Sequence, residues 1–217
     1  MVLTTDQVVW EYPDTPEQAC DFLSLLATIR NYLPDDRYLL TASLPVAVLE
    51  NINVQYAAQY LDSLNLVAYD FFGHWSKKSG HHAQLYSMNK GELSVDAGVK
   101  FLLSQGVPAK KILLGIPLFG HSFLNVKGPG HKNRGMGGSG GFFEYSQLPR
   151  KGTKERVDKQ AMAAYCVGGD GGFVTYDNPD TVREKALYCK QKGLGVRLSS
   201  LLSSNPPPFL GSNTDST

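Results

Sequence analysis

Three short stretches hold the residues best suited to chemistry: Trp10-Glu11-Tyr12-Pro13, Val67-Ala68-Tyr69-Asp70 and Pro117-Leu118-Phe119-Gly120-His121. Each joins an acid, a phenol or an imidazole to aromatic rings. A protonated carboxylic acid beside a glycosidic oxygen acts as a general acid, and tyrosine and tryptophan faces stack on the apolar faces of pyranose rings. Such a set suits a neutral sugar. Taken alone, each stretch also has a plainer reading: Glu11 as a solvated residue after a strand, and Tyr69-Asp70 as a strand end entering a turn. The five histidines, His74, His81, His82, His121 and His131, form no HExxH or comparable pair on a predicted helix. They read as polar loop residues, and no metal is expected. Gly135-Met-Gly-Gly-Ser-Gly140 matches GxGxxG. No predicted strand leads into it and no helix follows, so no phosphate-bearing cofactor, nor any other, is expected.

The elements that must carry these residues alternate in type. Thr15, Pro16 and Gln18 form a helix start, and Ala19, Phe22, Leu23, Leu26, Ile29 and Leu33 keep helical spacing after it. A strand is predicted over Tyr38–Leu44, ended by Pro45, then a helix over Gln55–Leu61 and a strand over Leu64–Tyr69. Beyond a polar loop, Ser94 caps a helix over Val95–Gln105 that Gly106 closes, and Lys111–Ile116 forms another buried strand. A helix over Pro179–Lys192, stopped by Gly193, leads to one more expected strand at Leu194. Near-continuous apolar strands between helices imply a parallel sheet, either open and doubly wound or closed as a (β/α)8 barrel. In a barrel the three stretches would meet at the C-terminal mouth of the strands. The segment between Phe119 and Gly172 is too long for a loop and predicts a small α+β insertion, with a strand at Phe142–Tyr145. From Val196 to Thr217 the chain is rich in Ser, Asn and Pro and predicts an irregular, disordered tail.

Composition narrows the partners. With 21 basic and 20 acidic side chains among 217 residues, no charge excess favours nucleic acid or an anionic membrane surface. Cys20, Cys166 and Cys189 are too few and too odd in number for a disulfide framework and read as buried thiols. No apolar run reaches the ~18 residues of a membrane span, and Met1–Pro13 lacks the basic stretch and apolar core of a secretion signal.

Several segments, in order, resemble the family 18 chitinases, most closely the fungal branch. They are WEYP at 10–13, LNLVAYDFFGHWS at 64–76, SGHHAQLY at 79–86, LLGIPLFGHSF at 113–123 and AAYCVGGDGGFVTYDNP at 163–179. The resemblance covers roughly residues 8 to 195. It implies an α/β fold, the (β/α)8 TIM-barrel, of which this chain would hold the C-terminal part from strand four onward, without strands one to three. The expected divisions are a partial barrel over 1–119, an α+β insertion over 120–172, the end of the partial barrel over 173–195 and the tail over 196–217.

The resemblance further implies substrate-assisted retaining hydrolysis of β-1,4-linked N-acetylglucosamine polymers, an exception to the two-carboxylate scheme. By position, Glu11 would be the acid catalyst, Tyr69 would hydrogen-bond the acetamido group, and Asp70 would bind sugar hydroxyls. Trp10, Tyr12, Phe71, Trp75, Phe119 and His121 would bind substrate. Chitin or chito-oligosaccharides are the implied partners, to a monomer; an extracellular site of action is implied by the family, an intracellular one is left open by Met1–Pro13.

Departures from the family matter as much. Its DxxDxDxE signature falls on positions 4, 7, 9 and 11, which here read Thr4, Gln7, Val9 and Glu11. Residues two apart on a strand share a face, so 7, 9 and 11 are expected to point to the barrel axis. Val9 replaces the aspartate that orients the acetamido group, and Phe119 and His121 stand where tyrosine and arginine are usual. The last strand lacks its usual tryptophan. Impaired hydrolysis is therefore expected; a chitin-binding, non-catalytic lectin or a non-functional fragment are the alternatives.

Overall fold

The computed structural model describes residues 4–10 and 13–199. In chain order it runs β1 (Thr4–Val9), α1 (Pro16–Tyr32), β2 (Tyr38–Pro45), α2 (Val54–Tyr60), β3 (Ser63–Val67), α3 (Val95–Ser104) and β4 (Ile112–Pro117). Then come β5 (Phe119–Phe123), β6 (Phe142–Glu144), β7 (Arg156–Asp158), β8 (Ala163–Gly168), β9 (Gly172–Tyr176), α4 (Pro179–Lys192) and β10 (Gly195–Ser199).

Five of the strands form one sheet in the order β1-β2-β3-β4-β10, every pair parallel. Alternate residues explain its two buried faces. Leu40, Ala42 and Leu44 of β2, Leu64 and Leu66 of β3, and Ile112 and Leu114 of β4 join the helices in one apolar core. On the opposite face lie Thr41 and Ser43, with Gln7 Nε2 donating to Ser43 Oγ at 2.6 Å. Burial on both faces is why β2 reads as a continuous run rather than an alternating one. Gln7 and Val9 share that second face, as the period of two predicts. Val9 is 50% exposed there.

The helices begin and end where their capping residues dictate. Thr15 Oγ1 accepts from Gln18 N at 3.2 Å, while Gln18 Oε1 reaches back one residue further than a simple capping box, to Asp14 N at 3.0 Å. Ala19, Phe22 and Leu26 bury the inner stripe of α1. In its last turn Arg30 donates to the Leu33, Tyr38 and Tyr60 carbonyls and pairs with Asp62 at 2.6 Å, tying the end of α1 to β2, α2 and β3. Ser94 caps α3 and Asn178 caps α4, and Gly193, left-handed at φ 70°, ends α4 before β10.

β6-β5-β9-β8-β7 make a second, antiparallel sheet, with a bulge at Ser122 and Phe123. Phe143, Ala164, Cys166, Val174 and Tyr176 fill one apolar cluster on it, and Phe123, Val126 and Phe173 another. Its strands extend from 119 to 176, and where an α-helical component was predicted there is a 3-10 turn at Tyr145–Gln147.

Three expectations change. The strand Gly195–Ser199 occupies the first residues of the predicted irregular tail, because its backbone completes the ladder of β4; residues 200–217 lie outside the described part. Cys20 is exposed on the outer side of α1, while Cys166 and Cys189 are buried. His81, His82 and His121 are buried within the fold rather than set in solvated loops.

Candidate active site

Beyond β3 the chain passes through Ala68 and Tyr69 to Asp70, whose φ of 61° is left-handed. That conformation costs a non-glycine residue on the order of 1–3 kcal/mol and concentrates at functional turns. The turn is held in place by the next residue, Phe71, whose N–H donates to His82 O at 3.0 Å.

His82 sits on a segment fixed from several sides. Ser79 Oγ donates to Gly128 O at 2.7 Å, and the Leu85 and Tyr86 amides both donate to Ala161 O. From α4, fully buried Lys185 donates to Ala83 O at 2.6 Å and pairs with Asp177 at 2.5 Å. Asp177 in turn accepts from Thr181 Oγ1 at 2.8 Å. His81 bridges Thr175 Oγ1 at 2.9 Å and Asp158 Oδ2 at 3.4 Å, and that histidine bond is the largest of the influences that lower the Asp158 carboxyl to about 2. His81 therefore anchors the antiparallel sheet, whereas His82 faces Asp70.

β5 brings in the third partner. His121 Nε2 lies 2.8 Å from Asp70 Oδ1, and His82 Nδ1 lies 3.7 Å from the same oxygen. Burial is the largest influence on Asp70 and pushes its carboxyl up, but the His121 hydrogen bond and the nearness of the His121 and His82 imidazoles together outweigh it. The group is held well below the usual carboxylate range. At His82 burial dominates and lowers the imidazole to about 4, against the opposing pull of Asp70. The site thus carries an ionised carboxylate beside a neutral imidazole at neutral pH.

Rings wall this cluster. Phe119, 2% exposed, meets Tyr69 edge-on at 5.7 Å and lies 5.2 Å from His82 and 5.6 Å from His121. Trp75 stands edge-on to His121 at 5.3 Å and to His74 at 4.9 Å. A Cβ at Gly73 would fall 2.4 Å from the Trp75 ring, so only glycine lets the indole lie there. His74 also lines a cleft of ≈ 740 Å³ together with Ser76, Asn133, Met136 and Lys77, Lys78 and Lys132.

Tyr69, Asp70, Trp75, Phe119 and His121 are therefore brought together. Two other residues predicted to bind substrate are not part of this group. Trp10 packs edge-on against Phe22 at 6.3 Å, on the helix side of the sheet, since it is one residue out of phase with Val9. Phe71 is buried in the same apolar core. Glu11 and Tyr12 lie outside the described residues. His82 was missed by spacing, because its partners Asp70 and His121 lie 12 and 39 positions away; its only trace in the sequence was the Ser79–Tyr86 match. The Gly135–Gly140 segment lies between β5 and β6 with no helix after it, so it offers no helix N-terminus to an anion.

Comparison with known proteins bears on this arrangement. The model of the family described as Glycosyl hydrolases family 18 matches residues 7–196. Endochitinase 1 of Metarhizium robertsii is 34% identical over 208 residues, which cover 87% of this chain and 49% of the relative. Chitotriosidase-1 of Mus musculus is 34% identical over 178 residues, covering 74% of this chain and 38% of its own. Among solved structures, a GH18 chitinase from Cycas revoluta in complex with (GlcNAc)3 superimposes with a TM-score of 0.79 at 30% identity, covering 90% of this chain and 62% of the other. The chain spans about half the length of the curated relatives it matches.

Proposed function

The chain belongs to family 18 of the glycosyl hydrolases, and from that premise we propose that it is a chitinase-type glycosidase with turnover held low by Val9. The parallel sheet is then the later part of a (β/α)8 barrel, β1 corresponding to strand four, and the antiparallel sheet an insertion before the last strand. The substrate is a β-1,4-linked N-acetylglucosamine chain, in keeping with the chitinase relatives.

The reaction is substrate-assisted. The acetamido oxygen attacks the anomeric carbon as the glycosidic bond breaks, and Glu11 gives its proton to the leaving oxygen. Glu11 then takes a proton from the water that opens the oxazolinium ion, so configuration is retained. Tyr69 donates to the acetamido carbonyl, and the ionised Asp70 accepts from sugar hydroxyls. In the family the carboxylate at position 9 orients the acetamido group and offsets the positive oxazolinium; valine does neither. Such losses cost on the order of 10²- to 10³-fold in rate.

One observation carries the reading: an ionised, 24% exposed Asp70 carboxylate beside Tyr69 and the rings of Phe119 and Trp75 at the C-terminal end of β3. Calorimetric titration with chitotetraose tests it. Saturable binding that Tyr69→Ala abolishes and Glu11→Gln preserves is expected; a wild-type chain that binds no chito-oligosaccharide overturns it.

A further inference from the structure

The Asp70–His82–His121 cluster has a property that sugar binding does not use. One ligand atom from each of the three residues lies within 4.8 Å of the other two. His82 is fully buried with neither ring nitrogen paired, and His121, 4% exposed, has an unpaired Nδ1. Buried polar atoms rarely stay without a partner, because desolvation is then uncompensated. Here one of those unpaired atoms, His82 Nδ1, is aimed at the Asp70 carboxylate from 3.7 Å.

We propose that Asp70, His82 and His121 form a binding site for one divalent zinc-like cation, clasping the end of β3 to β5 and to the Ser79–Tyr86 segment. Two imidazoles and a carboxylate are the donors that select zinc, copper or nickel over magnesium and calcium, which favour oxygen cages. With bonds of about 2.0–2.2 Å to a tetrahedral ion, neighbouring donor atoms stand roughly 3.3–3.6 Å apart. The separations of 2.8 and 3.7 Å from Asp70 Oδ1 bracket that value. Loading requires His121 to carry its proton on Nδ1, so that Nε2 gives its lone pair to the metal. His82 correspondingly binds through Nδ1 with its proton on Nε2. Asp70 is 24% exposed, which gives solvent a route to the group.

The test uses the untagged full chain, stripped with a chelator and titrated with zinc chloride. One zinc per chain is expected, with a melting midpoint raised by about 5 °C or more at saturation, and no response to magnesium or calcium chloride. His121→Arg and His82→Gln are each expected to weaken binding on the order of 100-fold, while His131→Gln and Cys20→Ser leave it unchanged. No stoichiometric site in the wild type overturns the proposal, as does undiminished binding by a folded His121→Arg chain. Should both ligand variants fail to fold, nitrogen-15 histidine spectra of the wild type decide the matter: zinc must shift the His82 and His121 ring nitrogens, and a shift confined to other histidines overturns the assignment.

Discussion

At Asp70 and His82, two adjacent titratable groups respond to burial in opposite ways, and each leaves its own mark on stability against pH. His82 is held at about 4 in the folded chain, below the ordinary value of about 6.5 that it regains on unfolding. Below that ordinary value the unfolded state binds the extra proton, so stability falls as pH drops from about 6.5 to about 4. The full effect is on the order of 3 kcal/mol, one pKa unit corresponding to ~1.4 kcal/mol. Asp70 is depressed too, and the direction is the same in a lower window: its contribution is fully present above about pH 4 and fades only in stronger acid. Urea unfolding of the chelator-treated wild type and His82→Gln between pH 4 and 7 is expected to show a shallower dependence of stability on pH in the variant. Identical slopes would mean that His82 titrates normally. Neither group's state was legible in the sequence. Spacing alone reads Asp70 as a strand end and His82 as a loop residue, and only the resemblance makes Asp70 a sugar ligand, because burial and a partner far along the chain are tertiary facts that spacing does not carry.

Helices and parallel strands were far more legible, since their signals are local. Pro16, Ser94, Pro179 and Gly193 mark helix ends that the structure keeps, and the predicted strands shift by a residue or two at most. The antiparallel sheet was harder to read. β7 is three residues long, β8 and β9 meet at a glycine-bounded turn, and β9 joins β5 only across a long stretch of chain, so only Phe142–Tyr145 stood out. Some of what fixes the element carrying His82 was equally hidden. Nothing in the sequence sets Lys185 of α4 apart from Lys190 and Lys192 on the same helix, yet it is fully buried against Asp177 and Ala83 O. Breaking one partner of a buried pair leaves the other charge uncompensated and costs about 3–5 kcal/mol. Lys185→Met is expected to lose that much in urea unfolding, and a loss under 1 kcal/mol would show that the pair contributes little.

For the molecule as a whole, the parallel sheet sets the gradient of order. β2, β3 and β4 are paired on both sides, while β1 and β10 are each paired on one side among the described residues. Strands with a single partner open more readily than those held between two. Hydrogen exchange is therefore expected to protect the amides of 40–44, 64–66 and 112–116 longest and those of 5–9 least; uniform protection across the sheet would contradict this. The proposed function depends on that same edge, because β1 carries Val9 and leads into Glu11. The proposed chemistry makes Val9 the position that limits turnover, and its half-exposed side chain leaves room for a carboxylate without disturbing the core. The decisive measurement is the rate of chitotetraose hydrolysis by wild type and Glu11→Gln, and by Val9→Asp with and without Glu11→Gln. A rise on the order of 10²-fold with Val9→Asp, abolished when Glu11→Gln is added, is the predicted result. Wild-type turnover already unaffected by Glu11→Gln, or a folded Val9→Asp chain no faster than wild type, would contradict it.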